Sequence, residues 1–135
     1  MDRPETRPRA YVCSPFSGDL GRSCDIARAV CRALITRGFA PFAPHLVYPW
    51  LGLEDSITEQ REAAIACGLA WVSGSDVLVA WIRDGVSNGM KSEIEAAIAT
   101  DIPFVQVFNI EDINKLDATS YGPTRNKRQG RKRHA

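Results

Sequence analysis

A chain of 135 residues, 44% hydrophobic and 24% charged, can close one hydrophobic core but is short for two domains. No apolar run reaches the roughly 20 residues of a membrane span. The opening "MDRPETRPRA" lacks the apolar stretch of a signal peptide, so a membrane role is set aside and the cytoplasm is the expected compartment. The formal net charge of +1 hides an asymmetry, because the last twelve residues, "TRNKRQGRKRHA", hold six Lys and Arg and no acid. Taking those six from seventeen leaves eleven bases against sixteen acids, about −5, on residues 1–123. The chain therefore reads as a flexible N-terminus (1–9), one domain (10–118) and a disordered basic tail (119–135). Plain solvation and a weak contact with nucleic acid are both open to that tail.

In chain order, "AYVCS" (10–14) is a short apolar strand followed by the turn-rich "PFSGDLGRS". From Leu20 to Arg37, the residues Leu20, Cys24, Ala27, Val30, Cys31 and Leu34 recur at three- and four-residue steps, which predicts an amphipathic helix closed by Gly38. "FAPFAPH" (39–45) predicts a Pro-punctuated strand, and "LVYPWLGLED" a long loop. Ser56 and Glu59 fit a capping box opening a helix to about residue 73. "DVLVAWI" (76–82) is the unbroken apolar run of a strand buried on both faces. A loop, "RDGVSNGM", leads into a helix ending near Thr100, then a strand "PFVQVF" (103–108) and a short helix over 111–117.

The order βαβαβαβ predicts a single Rossmann-like or flavodoxin-like α/β domain, with a parallel sheet of four to five strands and helices on both faces. In such folds ligands bind beyond the carboxyl ends of the strands. Two loops qualify, "SPFSGDLGRS" and "RDGVSNGM", both rich in the Ser and Gly that let a ligand approach the backbone at a helix N-terminus. A plain turn is the alternative for each. The four cysteines form no CxxC pair and only two histidines are present, so neither a metal site nor a cofactor is expected.

Glu93 stands out on the helix after "RDGVSNGM". With about 100° per residue, Met90, Ile94, Ala97 and Ile98 define the expected buried face. Glu95 lies opposite, and Glu93 falls about 60° to the flank, where a carboxylate is partly desolvated near the loop. A structural ion pair with a nearby Arg or Lys is the other possibility for it.

These stretches, "AYVCSPFSGD", "PFAPHL" and "SDVLVAWIRDGVSNGMKSEIEAA", resemble the nucleoside 2-deoxyribosyltransferase-like superfamily over most of residues 10–108. Ser87, Gly89 and Glu93 occupy its Ser/Asp-x-Gly-x-x-x-Glu pattern. The resemblance implies that Glu93 is the nucleophile on C1' of a 2-deoxyribosyl group, that Tyr11 orients it, and that a second base or water takes the sugar. Serine at position 87, where relatives acting on free nucleosides carry aspartate, implies a 5'-monophosphate. The expected binding residues are Ser14, Ser17, Gly18, Arg22, His45, Ser87, Gly89 and Met90, with Arg22 supplying positive charge. A homodimer or larger assembly is implied, with Val47, Trp50, Leu51 and Leu53 as exposed apolar contacts.

One departure matters. The transferases place an acid eight residues before the aspartate that opens the third strand, to protonate the leaving base. Here that position is Gly68. His45 is then the candidate acid, and a non-catalytic nucleotide-binding module is the alternative function. Phosphoribohydrolases that activate cytokinins share a glycine-rich loop before a glutamate, but with denser glycines than "SNGMKSE".

Overall fold

The computed structural model describes residues 6–16 and 20–122. Four strands, β1 (Arg9–Cys13), β2 (Ala40–Phe42), β3 (Val77–Trp81) and β4 (Phe104–Val107), form one parallel sheet in the order β2-β1-β3-β4. Four helices connect and follow them: α1 (Leu20–Thr36), α2 (Thr58–Ser73), α3 (Asn88–Ala99) and α4 (Ile110–Asn114). The expected α/β class and parallel sheet are thus present, with four strands.

Alternation along the strands divides the core into two layers. Ala10, Val12, Val77, Val79 and Trp81 pack under α1 and α4, against Ala27, Val30, Leu34 and Ile113. Tyr11, Cys13, Leu78 and Ala80 face the other way, against Val72 of α2 and Met90 and Ala97 of α3. Every residue of β3 is buried, as its unbroken apolar run requires. Gly38 ends α1 at φ +93°, in the left-handed region where glycine avoids a Cβ clash.

The chain leaves β1 toward β2, then crosses to β3 on the other side of β1. The loops after β1 and β3 therefore diverge, and the crevice between them is the place where such sheets admit ligands. At the opposite end Asp76 braces the same two strands. Its carboxylate accepts the Arg9 amide at 2.8 Å, while its own amide donates to the Arg9 carbonyl at 2.8 Å.

Several local expectations differ from the structure. No side chain caps α2, which starts at Thr58 rather than at a Ser56–Glu59 box. A turn from Glu54 to Ile57 precedes it, and Gln60 reaches back to the Glu54 amide at 2.7 Å. The loop after β2 holds two 3-10 turns, Pro44–Leu46 and Tyr48–Trp50. Ile98 is 58% exposed rather than core, because α2 packs on the Glu93–Ala96 side of α3 and rotates the buried sector away from Ile98.

Order also extends past both expected domain edges. Arg7 donates to the carbonyls of Ile35 and Phe39, and a 3-10 turn over Ala118–Tyr121 lays Tyr121 against Phe39 at 6.0 Å. The expectations for residues 1–5 and 123–135 lie outside the described residues.

Asp76→Ala should lower stability by about 1–3 kcal/mol, the cost of leaving a partly buried amide without its side-chain partner. A urea midpoint unchanged from wild type would show that the backbone ladder alone holds β1 to β3.

Candidate active site

Tyr11 lies mid-strand on β1 and is fully buried. Its hydroxyl donates to Oε2 of Glu93, one turn inside α3. The Cys13 thiol, two residues along the same face of β1, lies 3.7 Å from the other carboxylate oxygen, Oε1. Both donors are neutral, and among the described residues no Arg or Lys pairs with Glu93. Burial pushes the Glu93 carboxyl up to about 7, and the hydrogen bonds from Tyr11 and Cys13 only partly offset that rise. Burial and the neighbouring carboxylate also push Tyr11 and Cys13 far up, which keeps both protonated.

Glu93 and Tyr11 open on a cleft of about 390 Å³ whose walls are mainly apolar and aromatic, including Phe16, Tyr48, Pro49, Leu53, Ile65 and Leu69. Glu54, Asp55 and Arg61 add charge to its lining. The size and apolar character suit a small planar ligand.

The helix mouth answers why a hydroxyl, a glycine and a glutamate follow one another. Ser87 is the N-cap of α3, its hydroxyl accepting the Met90 amide at 3.3 Å. The Lys91 amide bonds to the Ser87 carbonyl, so the helix's own ladder leaves the amides of Asn88 and Gly89 pointing outward. A Cβ on Gly89 would meet nothing nearer than Ser87 Oγ at 4.0 Å, and Gly89 lines the cleft one turn before Glu93. Protein packing gives no reason for a glycine there.

Gly68 is the reverse case. A Cβ at this position of α2 would lie 2.9 Å from the Tyr11 hydroxyl, so the missing side chain is what lets α2 close over the Tyr11–Glu93 pair. Position 68 does line the cleft, and no acid stands there.

The remaining expected site residues fall as follows. His45 lines the cleft, its ring 4.8 Å from that of Phe16. Its Nε2–H donates to the Ser14 carbonyl at 2.8 Å, and burial lowers its pKa. A neutral ring with that proton engaged offers only an acceptor at Nδ1, so the role of proton donor does not fall to it. The Ser14 hydroxyl is the one buried side-chain polar atom without a partner among the described residues. Arg22 does not line the cleft. It pairs with Asp84 at 3.4 Å, and Asp84 also accepts from the Trp81 indole. Met90 buries its side chain in the core and gives its amide to Ser87, which removes it from substrate contact. Ser17 and Gly18 lie outside the described residues. Cys13 is the residue that sequence reasoning missed; its signal is the i, i+2 spacing from Tyr11 on a strand.

The family "Domain of unknown function (DUF7768)" matches residues 8–107. No curated protein matches the chain. Among solved structures, the chain is similar to a 2-deoxyribosyltransferase from the psychrotolerant bacterium Bacillus psychrosaccharolyticus, with a TM-score of 0.69 and 16% sequence identity over 84% of this chain and 96% of that one. At that identity the likeness concerns the fold.

The two glycines should respond oppositely to alanine. Gly89→Ala should leave the fold intact or stabilise it by about 0.5–1 kcal/mol, as helix propensity dictates, while impairing ligand binding. Gly68→Ala should push Tyr11 off Glu93 and lower the melting temperature. Thermal melts of both variants distinguish these outcomes.

Glu93 should also make stability depend on pH. Its folded value of about 7 lies above the ordinary 4.5, so its stabilising contribution is complete below pH 4.5 and is lost as pH rises through 7. Glu93→Gln should therefore gain on wild type by up to about 3 kcal/mol between pH 4.5 and 8. Parallel melting curves at the two pH values would refute the assigned shift.

Proposed function

The chain belongs to the DUF7768 family, and we propose that it cleaves or transfers the N-glycosidic bond of 2'-deoxynucleoside 5'-monophosphates or nucleosides, with Glu93 as nucleophile. The observation that carries this proposal is the Glu93 carboxylate itself: desolvated, oriented by Tyr11, without a cationic partner among the described residues, and open to an apolar cleft. A carboxylate oxygen attacks C1', the C1'–N bond breaks with its electron pair leaving on the base, and a glycosyl ester remains. Water or a second base then displaces Glu93 from C1'. The departing base takes its proton from solvent.

A 5'-phosphate would lie at the mouth of α3. The Ser87 hydroxyl keeps its hydrogen for a ligand while its oxygen caps the helix, and the amides of Asn88 and Gly89 add two donors. The unpartnered Ser14 hydroxyl, at the end of the adjoining strand β1, is a further donor. Arg22 pairs with Asp84 at 3.4 Å, so a phosphate there would compete with that carboxylate for its guanidinium.

A second function, nucleotide binding without turnover, is favoured by two observations: Gly68 stands where an acid would serve the leaving base, and burial lowers the pKa of His45. We also propose that the chain works as a homodimer or larger assembly. Val47, Trp50, Leu51 and Leu53 are exposed, and Ile65 and Trp71 of α2 are about half exposed. Light scattering would show a monomer if this proposal is wrong.

Incubation with a panel of deoxynucleosides and their 5'-monophosphates should release free base, at a rate that rises between about pH 6 and 8 as Glu93 ionises. Glu93→Gln should abolish release, whereas Glu95→Gln, on the exposed side of α3, should be nearly silent. Binding without release in wild type would leave the second function standing.

Ser87→Asp should reverse a preference for the monophosphate that we expect to be on the order of 100-fold, from two hydrogen bonds to a charged group. Calorimetric titration of nucleoside and monophosphate against both proteins measures it. Equal affinities in wild type would remove the phosphate from the α3 mouth.

A further inference from the structure

A glutamate side chain held by one hydrogen bond keeps a free rotation about its last torsion, which is broad and nearly twofold. Such a carboxylate presents no fixed lone pair to a reacting carbon. Strand β1 supplies a second holding point. Tyr11 and Cys13 project from the same face, two residues apart, and meet different oxygens of Glu93: the hydroxyl at Oε2 and the thiol at Oε1, 3.7 Å away. Cys13 is completely buried, and its sulfur also lies 3.8 Å from the Met90 carbonyl, one turn earlier in α3.

We propose that Cys13 is a positioning residue for Glu93, fixing the plane of the carboxylate from the side opposite Tyr11. This inference rests on Glu93 being the nucleophile. The thiol has one hydrogen and two acceptors in reach. Toward an ionised Glu93 it turns to Oε1, where the charge is; toward a protonated or esterified Glu93 it turns to the Met90 carbonyl. The contact is therefore made to the attacking form and released once the ester has formed. No electron or proton changes hands at sulfur. Burial keeps the thiol protonated, so it acts as a donor and not as a second nucleophile.

Other groups around Glu93 do not substitute for this contact. From β1 come only Tyr11 and Cys13, and α2 presents Gly68 with Arg61 farther along the cleft. The segment between β2 and α2 contributes His45, Tyr48, Glu54 and Asp55 to the lining. On α3 itself Lys91 and Glu95 are exposed. Among these, the hydrogen bonds recorded at Glu93 come from Tyr11 and Cys13.

The test uses the full chain with Cys13→Ala and Cys13→Ser. Carbon-13 NMR of the Glu93 carboxyl follows its titration whether or not the protein turns over substrate. Cys13→Ala should raise that midpoint by roughly half a unit to one unit, and Cys13→Ser, which restores a donor, should return it to the wild-type value or below. With a substrate in hand, Cys13→Ala should lower kcat by about 3- to 10-fold at little cost in KM, and Cys13→Ser should recover most of it. An alanine variant with the wild-type midpoint overturns the positioning role, even if Glu93 proves to be the nucleophile. A shifted midpoint in a protein that releases no base would instead keep the contact and overturn the glycosidase function. If Cys13→Ala does not fold, the serine variant decides: a midpoint raised like that of a donor-free site would overturn the proposal.

Discussion

The site depends on a carboxylate that is desolvated yet has no cationic partner among the described residues. An arginine or lysine beside Glu93 would hold its pKa down and draw off the charge that makes it reactive. The two groups that reach it, a phenol and a thiol, orient the oxygens while staying neutral themselves. Burial pushes the Glu93 carboxyl up to about 7, so that it ionises near neutrality. Such a group stores instability in the fold, and the surrounding sandwich of β1, α2 and α3 has to hold it in place.

Three local devices place that carboxylate. The register of β1 against β3 brings Tyr11 opposite Leu78, deep in the layer beneath α2 and α3. The Ser87 cap fixes where α3 begins, hence where Glu93 falls one and a half turns later. Asp84 ties the segment between β3 and α3 to its neighbours, through Arg22 of α1 and the indole of Trp81. Gly85 then turns the chain at φ +95° toward the helix mouth. A shift in any of them would move the carboxylate relative to the cleft, although of the residues involved Tyr11 alone bonds to it.

The parts of this design that follow short-range rules were legible in the sequence. The apolar run of β3, the three- and four-residue steps of α1 and the flank position of Glu93 all express periodicity, and each appears where it was read. What escaped was decided by tertiary packing. The Ser56–Glu59 pattern was overridden by the turn that precedes α2. Ile98 was read as core because the wheel of α3 shows only its own apolar side, not the direction from which α2 approaches. Arg22 and His45 were read from residue type, but their roles depend on partners, Asp84 and the Ser14 carbonyl, that the fold brings from 62 and 31 residues away. Cys13 looked like any small core residue; only the side chain across from it gives it a role.

The same packing ties the carboxylate to the outer surface of the molecule. Trp71, half exposed on α2, stacks on Phe42 at 4.9 Å, and Phe42 in turn lies 6.0 Å from Tyr11 and 6.2 Å from Tyr48. One ring therefore stands between the exposed face of α2, the aromatic wall of the cleft and the hydroxyl that orients Glu93. Close-packed interiors transmit displacement rather than absorb it, and Gly68 leaves α2 no slack above Tyr11. A continuous run of packed rings thus joins the apolar side of α2, through Phe42, to the tyrosine that bonds Glu93.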